Sequence, residues 1–528
     1  MLFYGVGGCV AHFYAICHAV VLLTNLKGKY FIVDMAFTGF KQEFTSTSHK
    51  ILAYIPKWIT QKSLIVGLLA LLMIVVIFSS CTMEWFFYPI NILELILFFY
   101  FGHYLSKMWR VGVLSNKMFK RKLLGISFLI RLLFVVFMLC FAQVTTGTFF
   151  KSSGDVLFYH NIAQFGADLM SSGDFHLVRG IQNYSGCELA DTGYGVYLSI
   201  VYYLSGNGEF SIVVARLLKV VWSSLTVIII YRLAQRNFSE SVARMAAIMM
   251  MLMPNFWYYA SEHLKETEML LLTVLYVERA DYLLRQNKFT FKDISVVLLI
   301  GLVLFTFRTV LAVVLFLGLF LTITISNSRI MKWGKRIVVA VLSVMFVLLI
   351  FKGQIQSEIQ NITSTQNGAQ AANMQWRSER EGGNKFAKYA GATVFAPLIF
   401  TIPFPTWVDP GGIQQELRFV AGGNYIKNIM SFFCILAMFS LLFSGKWREH
   451  LLPVSVMLGY LVILVMSSYA QSERFHIPAL PFELMFAAYG ISLANKTKFK
   501  KWFSGWTFCM FFIVIFWQWF KLKGHGVI

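Results

Sequence analysis

The stretch Ile294–Ser326, ISVVLLIGLVLFTFRTVLAVVLFLGLFLTITIS, contains a single charged residue, Arg308. The apolar runs on either side, about 14 and 18 residues long, are each close to the length that crosses a hydrocarbon core of about 30 Å as a helix. No single globular core needs so much uninterrupted apolar chain. The pattern recurs. Similar runs lie near 5–24, 64–81, 84–105, 123–145, 210–232, 242–259, 267–284, 336–352, 428–443, 451–468, 478–495 and 505–521. With 58% hydrophobic and 13% charged residues among 528, the chain reads as an all-α, polytopic membrane helix bundle of about 12–14 spans.

The net charge of +21 does not point to nucleic acid, because the basic residues stand in short clusters between apolar runs. Well over half of the 46 Lys and Arg fall in 25–63, 106–122, 232–244, 279–293, 326–336, 444–449 and 496–501. Loops of that kind stay in the cytoplasm. Alternation then assigns 146–209, 258–266, the turn at Arg308, 353–427 and 469–477 to the outer side. The first run lacks a basic n-region and a small-residue cleavage site and is expected to be a retained segment. Seven scattered cysteines, of which only Cys187 falls in a loop, form neither a disulfide framework nor a metal-ligand spacing.

The two long outer segments differ from the rest in composition. In 146–209, FYHNIAQFGADLM has helical apolar spacing and is expected to be an amphipathic helix on the membrane surface. The Gly- and Tyr-rich NYSGCELADTGYGVY (Asn183–Tyr197) after it is expected to be a loop. Segment 353–427 begins polar, like a mobile loop that orders over a ligand, and ends in the stiff PLIFTIPFPTWVDPGG. The chain divides into extra helices and basic loops over 1–119, a core over 120–352, the outer segment 353–427, and C-terminal helices over 428–528.

The outer loops also hold the residues able to do chemistry. Asp155 follows Gly154, with Tyr159 one helical turn on. A carboxylate there suits a general base toward a hydroxyl at the water–lipid boundary, although SSGD ahead of an apolar-periodic stretch is by position first of all a helix cap. In WYYASEHLKETEM, Pro254 ends or kinks the preceding helix, and Glu262, His263, Lys265, Glu266 and Glu268 crowd one turn. That turn is either a hydrated Lys–Glu loop or the lining of a polar cavity. Arg308 either snorkels or meets an anionic headgroup. In YAQSERFHIPALPFE (Tyr469–Glu483), Arg474 offers a planar fork suited to phosphate oxygens. Its neighbour Glu473 points elsewhere, and Pro478 and Pro481 set the entry of the next helix. Within the spans this reading counts only Arg131, Arg216 and Lys219, too few for an ion relay.

The order of GDVLFYHNIAQ, GYGVYLSIVYYLSG, ARLLKVVWSSLTVIIIYRLAQ, a Pro-terminated span with an acidic turn, and ERFHIPALPFELMFAAYGI resembles the GT-C membrane glycosyltransferases. It is most similar to bacterial relatives of the dolichyl-phosphate-mannose protein mannosyltransferases and the lipid A aminoarabinose transferases, over roughly 120–495. The resemblance implies a GT-C-like bundle in the bacterial inner membrane, with its active site on the periplasmic side. It implies inverting transfer of a sugar from a polyprenyl-phosphate donor to a glycan, lipid or protein acceptor. Asp155 would be the catalytic base, and Arg474 and Arg308 would hold the donor phosphate. Tyr159, Glu262, Lys265, Glu266 and His476 would line the substrate site. Where the family's first loop has Asp-Glu, this chain has Asp155-Val156, which argues against a two-carboxylate metal site. No cofactor is expected, and a divalent metal stays open. Membrane lipids are expected partners; nucleic acid is not. Two other readings compete: a polysaccharide polymerase or O-antigen-type ligase using polyprenyl-pyrophosphate glycans, and a lipid-oligosaccharide flippase or transporter.

Overall fold

The computed structural model describes residues 52–150, 154–186, 189–286, 290–325, 370–379, 383–389, 395–411, 415–466, 469–495 and 497–528. All belong to one compact unit, Lys50–Ile528. The expectations for 5–24, 326–369 and Cys187 lie outside the described residues.

Described residues form helices α1 Lys57–Ile77, α2 Phe87–Leu95, α3 Gly102–Met108, α4 Asn116–Thr146, α5 Asp155–Ser171, α6 Leu177–Ser185 and α7 Leu189–Ser205. There follow α8 Glu209–Asn237, α9 Glu240–Leu252, α10 Pro254–Ser261, α11 Glu266–Arg285, α12 Phe291–Phe307, α13 Thr309–Ile325 and α14 Gln370–Glu379. The last five are α15 Ala421–Phe443, α16 Leu451–Met466, α17 Glu473–His476, α18 Leu480–Leu493 and α19 Thr497–His525. Extended pairing among the described residues is limited to one antiparallel bridge between Thr82 and Val408.

Among the described residues, six helical stretches are long and apolar enough to cross a membrane: α1, α4, α8, Leu417–Phe443, Lys446–Met466 and α19. Two shorter ones, α13 and α18, are also strongly apolar. The chain is a multi-pass helical membrane protein. Two expected spans are irregular, one by a π-helical segment and one by a break. The run 84–105 passes from α2 to α3 through a π-helical turn, Ile96–Phe101. The run 242–259 breaks at Met253, whose extended backbone separates α9 from a helix that restarts with Pro254 in its first turn.

That break explains the most deeply buried arginine. Because Pro254 has no N–H, the last carbonyls of α9 lose helical donors, and in a membrane no water replaces them. Arg131 of α4 supplies them. It donates to the carbonyls of Met250 (3.4 Å) and Met251 (3.5 Å), and also to the hydroxyls of Ser127 and Ser223, both at 2.6 Å, and to the Ser127 carbonyl at 3.2 Å. Trp257 Nε1 donates to the Met251 carbonyl as well, at 2.8 Å. A charge in an apolar span is thus spent on the end of a broken helix.

Helix α8 stands at the centre, packed by α4, α7, α9 and α11, while α18 packs on α9 and α15. The helices of 57–108 pack into this same body, α1 on α19 and α2 on α15. The amphipathic helix is α5, which buries Val156, Tyr159, Ile162, Ala163, Gly166, Ala167 and Met170 against α7. The loop expected over Asn183–Tyr197 is corrected: from Leu189 onward it is helix α7. Its glycines serve packing, not turns. A Cβ on Gly193 would collide with Thr306, and one on Gly195 would stand 2.7 Å from Ile162. The stiff stretch after 395 runs inward, with Phe404, Trp407 and Val408 buried. Trp407 Nε1 donates to Asn91 at 3.1 Å, and its backbone N–H donates to Gln518 at 2.9 Å.

The spans also hold more charge than the sequence count allowed. Glu94, Arg244, Glu278, Asp281 and Glu483 are buried too. Most are paired, Arg236 with Glu278 (2.6 Å) and Asp281 (3.1 Å), and Arg244 with Glu240 (2.7 Å). The count missed them because a few charges scarcely lower the mean hydropathy of a long apolar run.

Candidate active site

Arg474 is the hub. On the short helix α17 its Nε donates to Glu266 Oε1 and its Nη1 to Asp155 Oδ2. Three segments separated by hundreds of residues therefore meet, each at a helix start: α5 at Asp155, α11 at Glu266 and α17 beside Arg474. The carboxylates differ in setting. The Asp155 side chain is 61% exposed and that of Glu266 is 0% exposed. Burial alone would raise the Glu266 carboxyl, yet Arg474, with Arg308 and Lys265 nearby, holds it below its ordinary range. Burial likewise opposes the charge on Arg474, but Glu266 and Asp155 push its pKa up.

Asp155 is not a side-chain cap. Gly154 occupies the cap position, with φ 79°, and Asp155 is the first helical residue. Arg474 and Glu473 diverge as adjacent helical residues do: Glu473 turns inward, where Asn424 donates to it at 3.4 Å and burial raises its carboxyl.

Arg308 comes to the same place. Its guanidinium lies 4.3 Å from the centre of the Phe475 ring, and Tyr460 is its side-chain partner. Its Nη1 is buried without a hydrogen-bond acceptor. Lys265 donates to the Phe307 carbonyl at 2.9 Å. Two carboxylates therefore face three cations, and one guanidinium donor of Arg308 is left without an acceptor.

The hydrated-loop reading of the acidic turn is corrected: Glu262, His263, Lys265, Glu266 and Glu268 are all buried. Glu268 is paired with Lys219 of α8 at 2.7 Å, and Glu262 lies within electrostatic reach of Arg216. His263 closes a buried chain, His160 Nδ1 to Tyr202 Oη (2.8 Å) to His263 Nε2 (3.3 Å). Burial, together with Arg216 and Lys219, holds the His263 imidazole neutral, well below its ordinary pKa.

Two predicted site residues stand elsewhere. Tyr159 turns into the helix interface, edge-on to Tyr194 at 4.9 Å. His476 points away from Arg474 and has both ring nitrogens engaged, Nδ1 with Lys427 at 2.7 Å and Nε2 with the Ala470 carbonyl at 2.8 Å. Sequence reasoning assigned no site role to Tyr460, Phe475 or the Lys219–Glu268 pair. A Lys in the middle of an apolar span was the signal available for the pair. Among the described residues, no group of three or more His, Cys, Asp or Glu could hold a metal ion.

The chain matches no family profile, no curated protein and no solved structure.

Proposed function

We propose that the protein is an integral membrane glycosyltransferase of the GT-C kind. It would move a sugar from a polyprenyl-phosphate donor to an envelope acceptor at the outer face of a bacterial inner membrane. The observation that carries this reading is Arg474 bonded at once to Asp155 and Glu266, with the free Arg308 donor beside it. In this reading the donor phosphate takes up guanidinium bonds of Arg474 and Arg308, which loosens the hold of Arg474 on Asp155. The acceptor oxygen attacks C1 from the side opposite the phosphate, and the C1–O(phosphate) bond breaks with its electron pair left on the phosphate. Asp155, the exposed carboxylate, takes the acceptor proton, and the arginines offset the charge growing on the leaving group. Attack from the opposite side inverts the anomeric carbon. Glu266 keeps Arg474 oriented. The experiment is sugar transfer from a synthetic polyprenyl-phosphate sugar by purified wild type and Asp155→Asn. A polymerase or ligase working through arginines alone would keep its activity in Asp155→Asn.

A transporter is the second reading, favoured by the buried pairs Lys219–Glu268 and Lys427–Glu483 (3.7 Å) inside the bundle. Substrate movement across sealed vesicles without any change in the sugar linkage would select it.

A further inference from the structure

The four residues of α17 point two ways. Arg474 and Phe475 face the charged cluster, Arg474 bonded to Asp155 and Glu266, and Phe475 stacked on the Arg308 guanidinium. Glu473 and His476, three residues apart and so on one side of a helical turn, face α15 instead. There they meet Asn424 and Lys427, which are also three residues apart. Asn424 Nδ2 donates to Glu473 Oε1 at 3.4 Å, and Lys427 Nζ lies 2.7 Å from His476 Nδ1. Two matched pairs therefore join the back of α17 to the first turns of α15.

The partners fix the protons of the second pair. His476 Nε2 stands 2.8 Å from the Ala470 carbonyl, which can only accept, so Nε2 carries the proton. Nδ1 of the neutral ring is then bare and accepts from Lys427. Burial and the Lys427 charge hold this imidazole neutral, well below its ordinary pKa. Lys427 also donates to the Ile402 carbonyl at 2.6 Å, and the Glu483 carboxylate of α18, 3.7 Å away, balances its charge. All three side chains, Lys427, His476 and Glu483, are buried. A buried ammonium is costly unless its surroundings answer it. This one ties α17 to α15, to α18 and to the stretch through Ile402. A four-residue helix needs such ties, because it makes too few bonds of its own to hold one orientation.

We propose that Lys427 and His476 are positioning residues, which mount α17 on α15 and so set where the Arg474 guanidinium meets Asp155 and Glu266. Neither touches the reacting atoms. Their effect on sugar transfer, which rests on the glycosyltransferase reading above, runs through the fit of Arg474 to the donor phosphate. Two amides at position 476 separate this from simple packing. Asparagine puts a carbonyl oxygen where Nδ1 stands and still accepts from Lys427. Glutamine, one bond longer, reaches the place of Nε2, so it donates to Ala470 but leaves Lys427 without its acceptor.

The full-length protein in lipid nanodiscs tests this in a thermal double-mutant cycle with Arg474→Lys. In the wild-type background Arg474→Lys lowers the thermal midpoint, because the fork shared by Asp155 and Glu266 is lost. In His476→Gln, where Arg474 is no longer aimed, the same replacement is expected to cost less than about half as much, and in His476→Asn nearly as much as in wild type. KM for a synthetic polyprenyl-phosphate sugar is expected to rise at least about tenfold in His476→Gln and to return to within about twofold of wild type in His476→Asn. Should His476→Gln not fold, Asn424→Ala, which loosens the other pair, takes its place in the cycle with the same expectation. Additive midpoint shifts, or an Asn variant that behaves as the Gln variant does, overturn the mount. Coupled midpoints with an unchanged KM uphold the mount and overturn its part in transfer. The midpoints need no sugar donor, so the two readings fail separately. A fully active Asp155→Asn protein removes the glycosyltransferase reading while the cycle stands.

Discussion

Arg474 donates to Asp155 across 319 residues of sequence, and the same guanidinium reaches Glu266 from 208 residues away. One planar cation with separate donors on Nε and Nη1 can serve both acids at once; a lysine ammonium has no such fork. In the proposed reaction the exposed acid exchanges its partner for substrate, while the buried acid keeps the arginine charged and aimed.

Asp155→Asn keeps the side-chain shape and an oxygen for Arg474 but removes the proton acceptor. Turnover is expected to fall by at least about 10²-fold, with little change in expression or thermal midpoint. A purely structural Asp155 gives the reverse, an active Asn variant and a destabilised Asp155→Ala. Transfer assays on the three purified proteins, with melting curves, separate the two.

Replacing Arg474 should reveal its double duty. Arg474→Ala leaves Glu266 buried beside an empty position, and removing one partner of such a pair costs about 3–5 kcal/mol. It is expected to lower the thermal midpoint and abolish donor use. Arg474→Lys keeps the charge and part of the stability but raises KM for the donor. Near-native activity in both variants would show that the phosphate does not meet Arg474.

The pH dependence follows from Glu266. Its folded pKa lies below the ordinary 4.5, so the stability it contributes is complete above that value and is lost as the pH falls through the folded pKa. The difference in thermal midpoint between wild type and Glu266→Gln should therefore be constant from about pH 8 to pH 5 and shrink below about pH 4.5. A gap that instead widens on acidification would mean that Glu266 is protonated in the folded protein.

Arg131→Met tests the broken helix. It strands the Met250 carbonyl, leaves the Met251 carbonyl to Trp257 alone and takes the partner from two serine hydroxyls in an apolar interior, and each buried unsatisfied group costs about 1–3 kcal/mol. A large loss of thermal stability is expected, with KM of the surviving folded fraction unchanged. A stable Arg131→Met protein would show that Trp257 suffices for the α9 terminus.

Orientation is read by cysteine labelling of intact cells. Phe175→Cys and Val113→Cys replace side chains 67% and 58% exposed. An impermeant thiol reagent is expected to label the first and not the second. The opposite result would put the cluster on the cytoplasmic side and remove the outer-face chemistry.

What the sequence determined by itself is what depends on neighbours along the chain. Apolar runs long enough to span, basic clusters between them, the break at Pro254 and the start of α5 near Asp155 all follow from hydropathy, periodicity and proline geometry. Each is fixed within a few turns of helix. The same signals failed where a residue answers to a distant partner. Gly193 and Gly195 carry the composition of a turn but sit in a helix, because Thr306 and Ile162 press too close for a side chain. His476 stands two residues from Arg474 yet faces Lys427. Arg131 looked like a lone span charge until α9 was folded against it. Only tertiary structure could decide that Asp155, Glu266, Arg308 and Arg474 share one site. Their contacts are made by helix ends that converge through packing elsewhere in the bundle, and no local pattern records which ends those are.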